Sequence, residues 1–396
     1  MADRPKSIKK ECIPYGCTLF LWWPMTIPRV SDVAGIINKI APFGLAEDWD
    51  NVGLQVGDPG TPAGRIMVAL DPGKEAIEAA IAADCALLVT HHPLIFAPLR
   101  KITGVDGVAG LVRLAVKNDL SIVSLHTNYD SVSGGLNDLL AAKLGIGQLS
   151  PMKGAIGEEL FKLVVFVPAG HEEQVMEALF RFSTNIGKYR DCSFRTGGTG
   201  TFRPMQGARP FVGSVGTREE VPEFRLELLL RKADMAAAVK ALVAAHPYEE
   251  PAFDLYPVVN PGREQGLGRI GLLDADTTLG GFAALVKERL GCTGLRYVGA
   301  PGKKVRKVAV CSGSGGSLLR EAAFQGADLM VTGDVKYHEA REAEAQGIAV
   351  IDAGHFPTEI IMVADMTARL TAELAGRGYQ VEVTPFEGEQ EPFTFI

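Results

Sequence analysis

From Arg65 onward the chain alternates between short, near-continuous apolar runs and amphipathic stretches. RIMVALD (65–71) and ALLVT (86–90) read as strands flanking a helix over 74–83, and a helix over 107–118 leads into LSIVSL (120–125). Strands so uniformly apolar belong to a sheet covered on both faces, which predicts an α/β fold. The same plan returns near the C-terminus. RKVAVC (306–311), DLMVT (328–332) and IAVID (348–352) read as strands, with helices over 317–325, 336–346 and 358–375.

The likeness extends to individual residues. CALLVTHH parallels ADLMVTGD, each a strand ending in Val-Thr before polar residues. LSIVSLHTNYD parallels IAVIDAGHFPTE: a strand, a histidine, and a carboxylate four positions later, His126/Asp130 and His355/Glu359. We read a diverged internal duplication, two similar α/β halves forming a discontinuous core. Between them KLVVFVPAG, a helix near 171–183, the Gly-rich SFRTGGTGTFRP, RLELLL and a further helix before HPYEEPAFDLYP suggest an inserted α+β domain of ferredoxin-like type. The expected division is 27–157 for the first half, 158–262 for the insertion and 263–396 for the second half. VVNPGREQGLG supplies the Pro and Gly of a linker.

Residues 1–26 are expected to be a disordered N-terminal extension. Lys6, Lys9 and Lys10 precede CTLFLWWPM, but that run is too short for a bilayer and lacks a small-residue cleavage site. Met25 reads as a normal start followed by an amphipathic helix; the alternative is a weak export signal.

Composition narrows the class. The 396 residues are 47% hydrophobic and 22% charged with net charge −7, a soluble globular profile without the basic surface that holds nucleic acid. Six cysteines without C-x-x-C spacing suit a reducing, cytoplasmic setting, and Cys12 and Cys17 have no further ligand type nearby.

Five of the seven histidines (His91, His92, His126, His338 and His355) fall at carboxyl ends of expected strands, the edge where α/β sheets bind ligands. His91 and His92 at a strand end can diverge to serve neighbouring ions; an isolated pair reads as readily as one buried and one exposed histidine. Pro357 is expected at the first position of a helix, with His355 just before it and Glu359 in its first turn, where a glutamate also complements the helix dipole. Asp130 reads alternatively as a turn or cap residue. Together these groups offer imidazoles and carboxylates to two divalent ions, with Zn, Fe, Mn, Co and Ni undistinguished. His126, Asp334 and His338 remain as supporting groups or substrate contacts, and Asp50 and Asn51 read equally as groups reaching the site and as capping or turn residues. SGSGGS (312–317) reads as a phosphate cradle or a plain tight turn. His171 reads as solvated, and His246 as a weaker ligand candidate with Glu249.

DWDNVGLQVGD, VTHHPLIF, HTNYDSVSGGLND, TGDVKYHEA and DAGHFPTE stand in the order and spacing of the Nif-three-like family, the GTP cyclohydrolase 1 type 2 homologs. The resemblance covers nearly all of 27–396. It implies a dinuclear metal centre whose ligands fall on His91, His92, Asp130, His355 and Glu359. It further implies a homohexamer, with the insertion similar to CutA and PII-type folds. One departure is Pro357, where the family usually has a small residue.

The resemblance implies a metal-dependent hydrolase of a nucleotide or related small molecule, in its cyclohydrolase form opening the GTP imidazole ring at C8 with release of formate. His126 and His338 are the candidate proton carriers. The competing reading is a non-catalytic metal carrier or regulatory scaffold whose insertion binds an effector. Neither reading calls for a membrane or nucleic-acid partner.

Overall fold

The computed structural model describes residues 26–157, 159–260 and 264–395. The expectations for the N-terminal extension, including Cys12 and Cys17, thus fall outside the described residues up to Met25. The first half runs α1 (Val30–Ile40), β1 (Gly53–Val56), β2 (Arg65–Ala69), α2 (Lys74–Ala82) and β3 (Leu87–Thr90). It continues through α3 (Gly107–Lys117), β4 (Ser121–Ser124), α4 (Thr127–Ser131), α5 (Leu136–Leu144) and β5 (Ile146–Gly157). Then come β6 (Leu160–Pro168), α6 (Glu172–Phe180), β7 (Ser193–Phe202), β8 (Glu219–Arg231), α7 (Met235–Ala245) and β9 (Phe253–Val258). The second half has β10 (Glu264–Thr278), α8 (Leu279–Leu290), β11 (Arg296–Val298), β12 (Lys304–Ser314), α9 (Leu319–Phe324) and β13 (Leu329–Gly333). It closes with α10 (Tyr337–Gln346), β14 (Ala349–Asp352), α11 (His355–Glu359), α12 (Ile361–Gly376) and β15 (Glu382–Pro385).

The halves repeat one order of elements. The first sheet is ordered β1-β4-β3-β2-β15 and the second β11-β14-β13-β12-β10-β5. In each, three parallel strands form the centre, and a short antiparallel strand, β1 or β11, closes one edge. Strands β3, β4, β13 and β14 are buried at every position, because helices cover both faces.

The halves also interlock. β5 pairs with β10 in the second sheet, whereas β15 pairs with β2 in the first. Helices cross over in the same way. α12 lays Met362, Met366, Leu370 and Leu374 against Ile66, Val68 and the buried face of α1. α5 packs Leu140, Ala141 and Leu144 against Phe282 and Val286 of α8 and Val308 and Val331 of the second sheet. The boundaries at 157 and 263 therefore do not separate two self-contained sheets.

The segment 160–258 has the order β-α-β-β-α-β and a four-stranded antiparallel sheet, β7-β8-β6-β9. This is the split-βαβ arrangement, and its own core is Leu163, Val165 and Val167 against Val175, Leu179, Ala238 and Leu242. Two local differences from the sequence pattern follow from pairing that no local pattern encodes. The Gly-rich stretch is the edge strand β7, held by β8, and the expected linker becomes β10 from Glu264 onward, held by β5 and β12. Among the described residues no helix is long and apolar enough to cross a membrane. Cys85, Cys292 and Cys311 are buried free thiols.

Candidate metal centre

Four imidazoles meet where the carboxyl edges of the two sheets face each other. His91 and His92 follow β3, His126 precedes the first residue of α4 after β4, and His355 opens α11 after β14. Ring centroids are 5.1 Å apart for His91–His92, 5.2 Å for His91–His126, 5.5 Å for His92–His126 and 5.3 Å for His92–His355.

Every Nδ1 is engaged on the outside of this group. His91 Nδ1 donates to the Leu125 carbonyl at 2.9 Å. Carboxylates hold the other three: Asp71 on His92 at 2.7 Å, Asp50 on His126 at 2.9 Å and Asp334 on His355 at 2.7 Å. Such partners fix the ring orientation and leave Nε2 to face inward, the arrangement of metal-binding histidines.

Glu359, only 3% exposed, lies at the centre. Its Oε2 is 3.0 Å from His92 Nε2 and 2.9 Å from His355 Nε2, and its Oε1 is 3.8 Å from His91 Nε2. Asp130 Oδ1 lies 3.8 Å from His91 Nε2 and accepts the Ser312 hydroxyl at 3.0 Å. Despite these approaches, His91 Nε2 and Glu359 Oε2 are buried atoms with no aligned hydrogen bond. Buried polar atoms are ordinarily paired, so an orphaned His91 nitrogen and an orphaned Glu359 oxygen within one centre fit the binding of a cation there. Two triplets, His91/His92/His126 and His92/His355/Glu359, bring ligand atoms within 4.8 Å of one another. The described residues thus include clusters able to hold a metal ion.

Without metal, protons take over the balancing. Burial opposes a charge on His92, but the Asp71 and Glu359 carboxylates outweigh it and raise its pKa to about 10. The adjacent Glu359, against burial and helped by Asp334, raises His355 to about 9. Glu359 itself is held well below the carboxylate range, since the neighbouring imidazoles overcome its burial. Burial pushes Asp130 the other way, upward, although the His91 charge opposes it. Divalent ions require neutral imidazoles, so ligation at pH 7 must expel the protons of His92 and His355. Metal affinity is therefore expected to rise with pH up to about 9–10. Calorimetric titration in buffers of different ionisation enthalpy reads this proton release; a heat independent of buffer would contradict it.

Backbone placement is equally tight. Gly313, in β12 at φ +56°, passes so close that a Cβ there would lie 2.1 Å from Glu359 Oε1 and 3.1 Å from His355 Nε2. Gly313→Ala should displace the carboxylate and weaken metal binding about 10–100-fold, as loss of a ligand-positioning group does. Competition with a chromophoric chelator measures it, and unchanged affinity would show that Glu359 is not a ligand.

The structure brings His91, His92, Asp130, His355 and Glu359 together, with His126 among them. His338 is exposed on α10 with its ring against Tyr337, and it belongs to neither triplet. Asp50 reaches the centre through His126, and its pKa falls to about 2 because His126 and Thr127 outweigh burial. One expectation is corrected and two open alternatives are decided. Pro357 is the third residue of α11, not the first; His355 opens that helix and Glu359 ends it. A proline anywhere in a first turn removes an N–H that has no helical acceptor. SGSGGS is no phosphate cradle: the N–H groups of Ser312, Gly313 and Gly315 are taken by Asn137, Thr358 and Thr332. His246 has both ring nitrogens occupied, Nε2 by the Phe166 carbonyl and Nδ1 by the Tyr248 N–H, and so cannot join Glu249 on a metal.

Sequence reasoning missed two groups. Asp71 ends the β2 run as an ordinary strand-terminal acid, with no histidine nearby in sequence to mark it. Glu389 accepts the N–H groups of Leu70 and Asp71 at 2.6 and 2.7 Å and so pins the C-terminal segment beside the centre. That segment, with Asp71, His92, Asp334 and His355, walls a cavity of about 380 Å³.

The profile of the family described as Duf34/NIF3 (NGG1p interacting factor 3) matches residues 28–392. A GTP cyclohydrolase 1 type 2 homolog of Halalkalibacterium halodurans is 39% identical over 373 residues, covering 94% of this chain and 100% of the relative. A protein of the same name from Bacillus subtilis (strain 168) is 38% identical over 362 residues, 91% of this chain and 97% of the relative. The solved structure of a Bacillus cereus protein related to NIF3 aligns with a TM-score of 0.84 at 37% identity, over 94% of this chain and 100% of that one. With a match over 28–392 and relatives of this identity and coverage, the chain belongs to the Duf34/NIF3 family.

Proposed function

We propose that the chain holds two divalent metal ions and hydrolyses a nucleotide or a related phosphorylated compound. The observation that carries this is the Glu359 carboxylate, whose two oxygens are turned toward different imidazoles, Oε1 toward His91 and Oε2 toward His92 and His355. A carboxylate so shared suits a bridge between neighbouring ions. His91 and Asp130 would serve one ion, His92 and His355 the other. Ions held there would supply Lewis-acid polarisation of a substrate oxygen and a lowered pKa for water.

The chain's own residues supply the rest. His126, fixed by Asp50, is the proton carrier best positioned at the centre. Trp49 and Phe96, 57% and 56% exposed, stand with ring centroids 5.9 Å apart, and Trp49 is 6.1 Å from His126. Exposed rings beside a polar site suit stacking on a planar base. The cavity against the C-terminal segment offers room for the remainder of a substrate.

The test incubates metal-loaded protein with a panel of nucleotides and phosphoesters beside a His91→Ala/Glu359→Ala variant. Turnover that disappears in the variant supports the hydrolase. Metal content lost in the variant, with no turnover by the wild type, supports the carrier instead. The family resemblance also implies a homohexamer. Light scattering of the purified chain should then read six times the chain mass, and a monomer would remove that part of the reading.

A further inference from the structure

The inserted domain contains a larger cavity, about 650 Å³, remote in sequence from the histidine cluster and built on the sheet face away from α6 and α7. Its walls include the rings of Phe166, Phe202, Phe211 and Tyr248. Phe202 and Phe211 both face Tyr248, at 5.7 and 6.2 Å between centroids and steeply tilted. Among these rings lies a carboxylate. Glu223 is only 9% exposed, and Tyr248 donates its hydroxyl to Oε1 at 3.0 Å.

Among the described residues no cation pairs with Glu223. Arg225, on the same strand, also lines the cavity, but its Nε donates to Glu227 at 2.8 Å and its guanidinium sits 5.8 Å over the Phe166 ring. That leaves Phe202, Phe211 and Tyr248 as the rings around Glu223. Glu249, Glu250 and Arg203 also line the cavity, so its acids outnumber its arginines by three to two. The β7 backbone makes room for this acid, since a Cβ at Gly200 would lie 2.0 Å from Glu223 Oε2. A mostly buried carboxylate costs free energy unless a counter-charge or hydrogen bonds compensate it. Here Tyr248 supplies one hydrogen bond, and among the described residues no counter-charge is paired with the acid. Rings arranged around a carboxylate without a cationic partner are the chemistry that recognises an organic ammonium group, through ring faces and the charge together.

We propose that this cavity is a second ligand site, selective for a small organic cation with an apolar or aromatic body. The volume lies in the range of small-molecule pockets. The site is independent of the metal centre in its residues, so the two readings stand or fall separately.

The test uses the full-length, metal-loaded protein and three probes of like size: benzyltrimethylammonium, benzyl alcohol and phenylacetate. Isothermal titration and saturation-transfer NMR should show saturable binding of the cation, about tenfold or more tighter than the neutral or anionic ring. Glu223→Gln, nearly isosteric, should weaken the cation about tenfold and leave metal content unchanged. Phe211→Ala, at a ring 53% exposed, tests the cage without burdening the fold and should also weaken it. The proposal is overturned if the cation binds no tighter than benzyl alcohol, if no probe saturates, or if both variants bind it as the wild type does.

Discussion

Glu359→Gln should abolish metal loading, with affinity falling by more than the roughly 10–100-fold that loss of an outer-sphere partner costs. The amide keeps the size of the side chain, but has one acceptor oxygen where the carboxylate has two and no charge to offset divalent ions. Wild-type protein should gain about 2.7 kcal/mol of stability at a metal concentration one hundred times Kd, and the variant should gain almost none. The metal-free proteins supply the control. A histidine whose folded pKa is raised stabilises fully below its unfolded value near 6.5 and loses that contribution as pH climbs through the folded value. For His92 and His355 the folded values are about 10 and about 9, raised in both cases by Glu359. Metal-free wild type should therefore lose stability between about pH 6.5 and 10, and the glutamine variant should lose less. Thermal melts across that window with and without metal read both effects. Equal metal content in the two proteins would sink the assignment.

The centre explains why the halves interlock. His91, His92, His126 and Asp130 come from the first half, His355 and Glu359 from the second. A carboxylate 2.9–3.0 Å from imidazoles of both halves demands that their relative position be fixed. Exchange of β5 for β15 and of α5 for α12 fixes it, since neither sheet is complete without chain from the other half.

The parts legible in the sequence are those with a local physical signature. The apolar strands announced themselves because burial on both faces removes the polar alternation, and the duplicated strand-His-carboxylate pattern pointed to the edge where ligands gather. Two-faced burial carries no information about which strand lies beside which, so the exchange of β5 and β15 was not legible. Asp71 and Asp334 orient histidines 21 residues away in each case, contacts set only by adjacent parallel strands. Glu389 acts across more than three hundred residues. His338 follows the expected strand end in sequence, but the helix it joins turns it to solvent.

The most damaging substitution for the fold should lie outside the histidine cluster, at Arg269. Its side chain in β10 is 3% exposed, and its Nε donates to Asp138 at 2.7 Å. Nη1 donates to the carbonyls of Gly266 and Gly268 at 2.6 and 2.8 Å, and Nη2 to those of Ser131 and Val132 at 3.2 and 2.8 Å. One guanidinium thus ties the second sheet to the end of α4, the helix that carries Asp130. Methionine fills a similar volume and supplies no donor. Arg269→Met would leave a largely buried Asp138 carboxylate and four carbonyls without this partner, and removing one member of a buried pair costs about 3–5 kcal/mol. Asp138 keeps 24% of its side chain in solvent, which favours the lower end of that range. Denaturant unfolding of the metal-free protein measures the loss, with Arg320→Met as comparison. Arg320 also pairs with a carboxylate, Glu342, but is 81% exposed, so its replacement should stay within about 1 kcal/mol of wild type. Because α4 loses its tether, metal affinity should fall in Arg269→Met and not in Arg320→Met. If the two variants unfold at the same denaturant concentration, the tether between halves must lie elsewhere.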